Sequence, residues 1–226
     1  MRSAKSSGRA AVADTAQRAR RATRLASQPR AWQRMLSGRR LDLLDPSPLD
    51  IELEDIAHGL ARVARWNGQT KGPEIFSVAQ HSLLVEALFA ARDVASSREA
   101  RLAALLHDAP EYVIGDMISP FKAAVGGDYK LIEAGLKRAV LIRFGLTAEP
   151  SEDLERRIKV ADRASAYLEA TTLAGFSIAE ARKLFGEPDL PIRDFAGFLE
   201  PRRPADVEAQ FLARFGELDA KVSGAL

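Results

Sequence analysis

The stretch that most constrains the fold is IFSVAQHSLLVEALFAARDV, residues 75–94, which contains neither glycine nor proline. It predicts one long helix, apolar on nearly every side and therefore well buried. Such a helix must be wrapped by other elements, and the flanking segments have the period to do it. Apolar residues at Ile51, Leu53, Ile56, Ala57, Leu60, Val63 and Ala64 predict a helix over 50–66, broken by NGQTKGPE. SREARLAALLHDA, residues 97–109, predicts another, capped by Ser96 or Ser97 and followed by Pro110, which suits the first turn of a new helix. ISPFKAAVGGD predicts a loop. After it, Asp128 is expected to cap a helix over 129–144 that stops at Gly145. Ser151 caps a further helix over 152–174, and ADVEAQFLARFGELDAKV forms the last one. A strand signal is confined to Leu41–Leu44. The expected class is all-α, a compact helical bundle with at most a short strand or hairpin.

Charge divides the chain. Residues 1–40 carry eleven Lys and Arg against the single Asp14, while the remainder holds 22 basic and 30 acidic residues. Residues 1–30 are rich in Ala, Ser and Arg and poor in large apolar side chains, so they read as a solvated basic arm. A nucleic-acid arm, an organellar transit peptide and an upstream extension from a misjudged start codon are the competing readings, but no aromatic platform accompanies the arginines. Residues 31–226 read as one domain. No apolar run approaches the ~18 residues of a membrane span, and Glu86 interrupts the longest, LLVEALFAA. Cysteine is absent, which excludes disulfides, thiolate zinc sites, iron–sulfur clusters and cysteine nucleophiles. A cytoplasmic location is the expectation.

Chemistry concentrates in HDAPEYVIGD, residues 107–116, where His107 and Asp108 are followed by Glu111 and Asp116. Mid-helix, adjacent side chains diverge by about 100° and would not share a ligand. At a helix end they can converge, and the unpaired carbonyls there favour a cation. His81 lies among core-like residues, which by itself suggests a hydrogen-bonded core histidine. Asp162 lies in RRIKVADRASAYLEA, between Val160, Ala161 and Ala164, where an unpaired charge would be costly. A divalent ion would resolve these oddities together. Two imidazoles and two carboxylates supply a mixed shell suited to Zn²⁺, Mn²⁺, Co²⁺ or Fe²⁺. His58 has no partner in the pattern and reads as structural.

The order helical His, His–Asp pair, helical Asp resembles the HD-domain metal-dependent phosphohydrolases. The finer resemblance is to bacterial 5′-deoxynucleotidases and their prophage relatives. It is carried by ARWNGQT (64–70), SVAQHS (77–82), HDAPEYVIGD (107–116), SPFK (119–122), DYKLIE (128–133) and ADRASAYLEA (161–170). The resemblance implies a compact HD-domain bundle in which His81, His107, Asp108 and Asp162 hold one divalent transition metal. It implies Glu111 and Asp116 as active-site carboxylates. It implies Arg65, Trp66 and Lys122 as residues that contact the substrate's phosphate and sugar. Proteins of that family are often homodimers, and a homodimer is the corresponding analogy. The segment NGQTKGPEIFSVAQ is closer to the prophage relatives, which leaves base and sugar preference open.

The implied reaction is removal of the 5′-phosphate from a deoxyribonucleoside 5′-monophosphate by a metal-activated water. It needs a nucleophilic water, neutralised phosphoryl oxygens and a protonated leaving group. Which of Glu111 and Asp116 is acid and which is base stays open. Three alternatives remain: a deoxynucleoside triphosphate triphosphohydrolase, a cyclic-nucleotide or alarmone phosphodiesterase, and a non-catalytic nucleotide- or nucleic-acid-binding protein.

Overall fold

The computed structural model describes residues 31–118, 121–122, 127–190 and 192–219. Among these, helices dominate: α1 Leu53–Leu60, α2 Val78–Arg92, α3 Arg98–Leu105, α4 Glu111–Ile114, α5 Gly127–Arg143, α6 Glu152–Thr172, α7 Ile178–Phe185 and α8 Pro204–Asp219. One antiparallel hairpin precedes them, pairing β1 Trp32–Arg34 with β2 Arg40–Asp42. The chain is thus a mostly helical fold with one small hairpin, as expected. No helix among the described residues is long and apolar enough to cross a membrane.

α2 is the axis. The Ser77 hydroxyl caps it by accepting from the Gln80 N–H at 3.3 Å. From Val78 to Glu86 every residue is buried, the outcome that the glycine- and proline-free run predicts. The helix separates two cores. Val78 and Leu83 pack with Leu60, Leu105, Val140 and Phe211, while Leu84, Leu88 and Phe89 pack with Phe76, Ile158 and Leu168. Each fully buried side chain of this size contributes about 1.5–3 kcal/mol relative to exposure. α6 and α3 flank α2, and α8 lies across α1 and α3. Ser97 and Ser151 cap α3 and α6 by accepting from Ala100 N and Leu154 N.

Several boundaries differ from expectation, each for a tertiary or local reason. The helix expected over 50–66 survives only as α1, because Ala64 and Ser77 form a β-bridge in which Arg65 N–H donates to the Phe76 carbonyl at 2.8 Å. Arg65 and Trp66 therefore stand on a tight turn, Arg65–Gly68. The expected strand Leu41–Leu44 is shifted to Arg40–Asp42, since the Asp42 side chain accepts from Leu44 N and Asp45 N and turns the chain away. The helix expected over 97–109 ends at Leu105, with Leu106 capping it. Phe121 and Lys122, expected in a loop, form a helical turn on the Ile118 carbonyl, and Asp128 lies within the first turn of α5 instead of capping it. Residues 119–120 and 123–126 of that loop, the basic arm 1–30 and the last predicted residues 220–222 lie outside the described residues.

One close approach sets the geometry near the site. α1 and α4 meet so tightly that a Cβ at Gly59 would stand 2.8 Å from both Cβ and O of Tyr112. Tyr112 is the neighbour of Glu111 on α4. His58, one residue earlier, pairs with Glu208 of α8 at 3.3 Å, in keeping with a structural role.

Candidate metal centre

Three pieces of chain bring the pattern together. α2 supplies His81, the turn after α3 supplies His107 and Asp108, and α6 supplies Asp162. His81 Nε2 lies 3.4 Å from Asp108 Oδ2 and 3.4 Å from Asp162 Oδ1. His107 Nε2 lies 3.2 Å from the same Asp108 oxygen, and the two imidazole centroids are 5.3 Å apart. One ligand atom from each of His81, His107 and Asp108 fits within a 4.8 Å cluster. Ending α3 at Leu105 lets the adjacent His107 and Asp108 converge, which a continuing helix would prevent.

The second nitrogen of each ring is already engaged. His81 Nδ1 is 2.5 Å from Glu169 Oε1, and His107 Nδ1 is 2.9 Å from the Ala104 carbonyl. Both partners accept, so they assign the proton to Nδ1 and leave Nε2 as a lone pair. Both Nε2 atoms are buried and lack a hydrogen-bond partner. Lone pairs and carboxylate oxygens thus face one another, an arrangement that needs a proton or a cation between them. Burial and Arg65 oppose charge on His81, yet Glu169, Asp108 and Asp162 outweigh them and hold the imidazole well above its ordinary pKa. Burial raises the Asp108 and Asp162 carboxyls, but the histidines outweigh it and hold both below the usual carboxylate range. The residues fit a divalent transition metal: mixed N/O donors, with each imidazole anchored through its other nitrogen to an acceptor.

Glu111 sits beside this cluster and is only 3% exposed. Burial, reinforced by Asp108 and Asp116, pushes its carboxyl up to about 9. Its Oε2 is buried without a partner, and its Oε1 accepts from Lys122 Nζ at 3.3 Å. Lys122 also donates to Glu133 at 3.0 Å; burial opposes its charge, but the two glutamates hold the ammonium above its ordinary pKa. An open cavity of about 670 Å³ starts at His107, Asp108, Glu111 and Asp162, with Lys130, Lys137, Arg156 and Lys159 along its walls.

Arg65 and Trp66 meet the cluster through Glu169. Trp66 (φ 56, ψ 27) and Asn67 (φ 51, ψ 32) both adopt left-handed backbone, a conformation costing about 1–2 kcal/mol per residue. Arg65 donates from Nη1 to Asp116 Oδ2 at 2.9 Å and from Nε to Glu169 Oε2 at 3.2 Å. The Trp66 indole N–H donates to Glu169 Oε2 at 2.8 Å, and its ring packs on Phe176 and Phe185. The structure thus gathers His81, His107 and Asp108, sets Asp162 against His81 while its other oxygen accepts from Lys159 Nζ at 2.6 Å, places Glu111 and Lys122 beside them, and engages Asp116 with Arg65 and Trp66 with the core.

Reading residues singly misses Glu169, which is fully buried and bonded to His81, Ser165, Arg65 and Trp66. A signal was present. Asp162, Ser165 and Glu169 fall at i, i+3 and i+7 of α6 and so share one face. Glu133 was likewise missed.

No family model matches the chain. The chain is 59% identical over 196 residues to an uncharacterised protein of Rhodobacter capsulatus, a match covering 86% of this chain and 99% of that protein. The chain belongs to the same family as that protein.

Proposed function

We propose that the chain is an HD-type metal-dependent phosphohydrolase that removes the 5′-phosphate from deoxyribonucleoside 5′-monophosphates. The observation that supports this reading is the pair of buried, partnerless Nε2 atoms turned onto Asp108 and Asp162. His81, His107, Asp108 and Asp162 would hold one Zn²⁺, Mn²⁺, Co²⁺ or Fe²⁺ ion. Bound there, such an ion supplies a water of lowered pKa and a Lewis acid for a phosphoryl oxygen.

The remaining steps fall to side chains. A guanidinium has more N–H groups than Asp116 and Glu169 occupy, which leaves Arg65 donors for phosphate oxygens. Asp116 orients that guanidinium. Lys122 adds a positive charge to the cavity wall. Glu111, whose carboxyl is pushed upward by burial, gives its proton to the departing 5′-oxygen. Asp116, engaged with Arg65, is thus assigned to positioning and Glu111 to acid catalysis.

The cations Lys130, Lys137, Arg156 and Lys159 along the cavity favour one second reading, a deoxynucleoside triphosphate substrate. Product identity separates the two. Purified protein supplied in turn with each of the four metals is assayed on deoxynucleoside mono- and triphosphates. Orthophosphate from the monophosphates supports the first reading, and triphosphate release supports the second. In either case His107→Ala loses turnover. If the folded protein binds the metals and nucleotides but releases no phosphate in any combination, the chain is a binding protein.

A further inference from the structure

We propose that Glu169 is a positioning residue shared by the metal centre and the arginine turn: one oxygen sets the His81 tautomer and the other holds the turn that presents Arg65. The inference rests on the metal-centre reading for its purpose, though its geometry stands independently.

The two oxygens have different neighbours. Oε1 faces His81 Nδ1 at 2.5 Å and the Ser165 hydroxyl at 2.6 Å. Oε2 faces the Trp66 indole N–H at 2.8 Å and Arg65 Nε at 3.2 Å. Glu169 and His81 are both fully buried, so no water competes for these bonds. An acceptor at Nδ1 places the imidazole proton there and frees Nε2 toward Asp108 and Asp162. On the other side, two consecutive left-handed residues need an anchor, and the indole N–H on Oε2 is one. Ordering at one end of the carboxylate thereby orders the other.

The asymmetry makes Glu169→Gln informative. Tryptophan and arginine can only donate, so the carboxamide oxygen must take the Oε2 position. That puts the amide NH₂ against His81 Nδ1 and the Ser165 hydroxyl, both of which can accept. His81 then carries its proton on Nε2 and ceases to be a ligand. The experiment is ¹⁵N NMR of histidine-labelled full-length protein, with Zn²⁺ titration by calorimetry. The chain has three histidines, and His58, paired with Glu208, serves as the reference within the same spectrum.

In wild-type protein loaded with Zn²⁺, His81 is expected to show a protonated Nδ1 and a metal-shifted Nε2. In Glu169→Gln the proton is expected on Nε2, with Zn²⁺ affinity lower by about 10–100-fold. A variant that keeps both the wild-type tautomer and the wild-type affinity overturns the proposal. If Glu169→Gln does not fold, the loaded wild type decides. Coordination of His81 through Nδ1 overturns the proposal. Wild-type protein that binds no divalent ion, while Glu169→Gln still removes the proton from His81 Nδ1, defeats the metal reading and upholds the role of Glu169.

Discussion

Glu86 and His81 stand on the same buried helix, five residues apart, and the molecule surrounds them differently. Glu86 is enclosed by two arginines. Arg101 Nε reaches Oε1 at 2.7 Å, while Arg214 reaches Oε2 at 2.8 Å and Oε1 at 3.0 Å. Each oxygen is satisfied and each contact runs from donor to acceptor. At His81 the pattern is reversed: acceptor atoms converge, and two imidazole nitrogens are left partnerless. A buried charge therefore does not by itself mark a site. Acceptors left without complements do, because a fold has no structural reason to assemble them.

The sharpest way to break the comparison is at Glu111, which also keeps a buried oxygen without a partner. Glu111→Gln cannot release a proton, so kcat is expected to fall by about 10²–10⁴-fold. Zn²⁺ affinity measured by calorimetry should stay near the wild-type value. A variant with full turnover would remove Glu111 from the chemistry.

Next in size is the enclosed charge. Glu86→Gln leaves two arginines without their shared anion and is expected to cost about 3 kcal/mol in urea unfolding, the lower end for a broken buried pair because both arginines keep some contact with water. Folded Glu86→Gln should bind Zn²⁺ and turn over substrate as wild type does. Loss of metal binding in that variant would mean that the two clusters act as one network.

The smallest effect joins both halves. Zn²⁺ at roughly 100 times its Kd should stabilise wild type by about 2.7 kcal/mol. The same increment is expected for Glu86→Gln and none for His107→Ala. Chemical denaturation with and without the ion reads all three.

The sequence made some of this legible and concealed the rest for identifiable reasons. α2 follows from an unbroken apolar run, and Ser97 and Ser151 announce their helices because capping is a local interaction. The residues His81, His107, Asp108 and Asp162 could be picked out because polar groups in apolar surroundings are conspicuous, and the fold clusters the first three and sets Asp162 3.4 Å from His81. The end of α1 was not legible, since it depends on a bridge to Ser77 that no local preference encodes. Glu169 was hidden for a related reason. A glutamate late in a long helix looks solvated until the helix face it shares with Asp162 is known to be covered by α2.

Gly59 gives the fold a fixed tolerance. A helix interior normally disfavours glycine by about 1 kcal/mol relative to alanine, and here that missing methyl is the clearance between α1 and α4. Adding it would drive α4 outward at Tyr112, and Glu111 is the residue just before it. The depth to which an acid reaches into the cleft is thus calibrated by a side chain that is absent, fifty-two residues earlier in the chain.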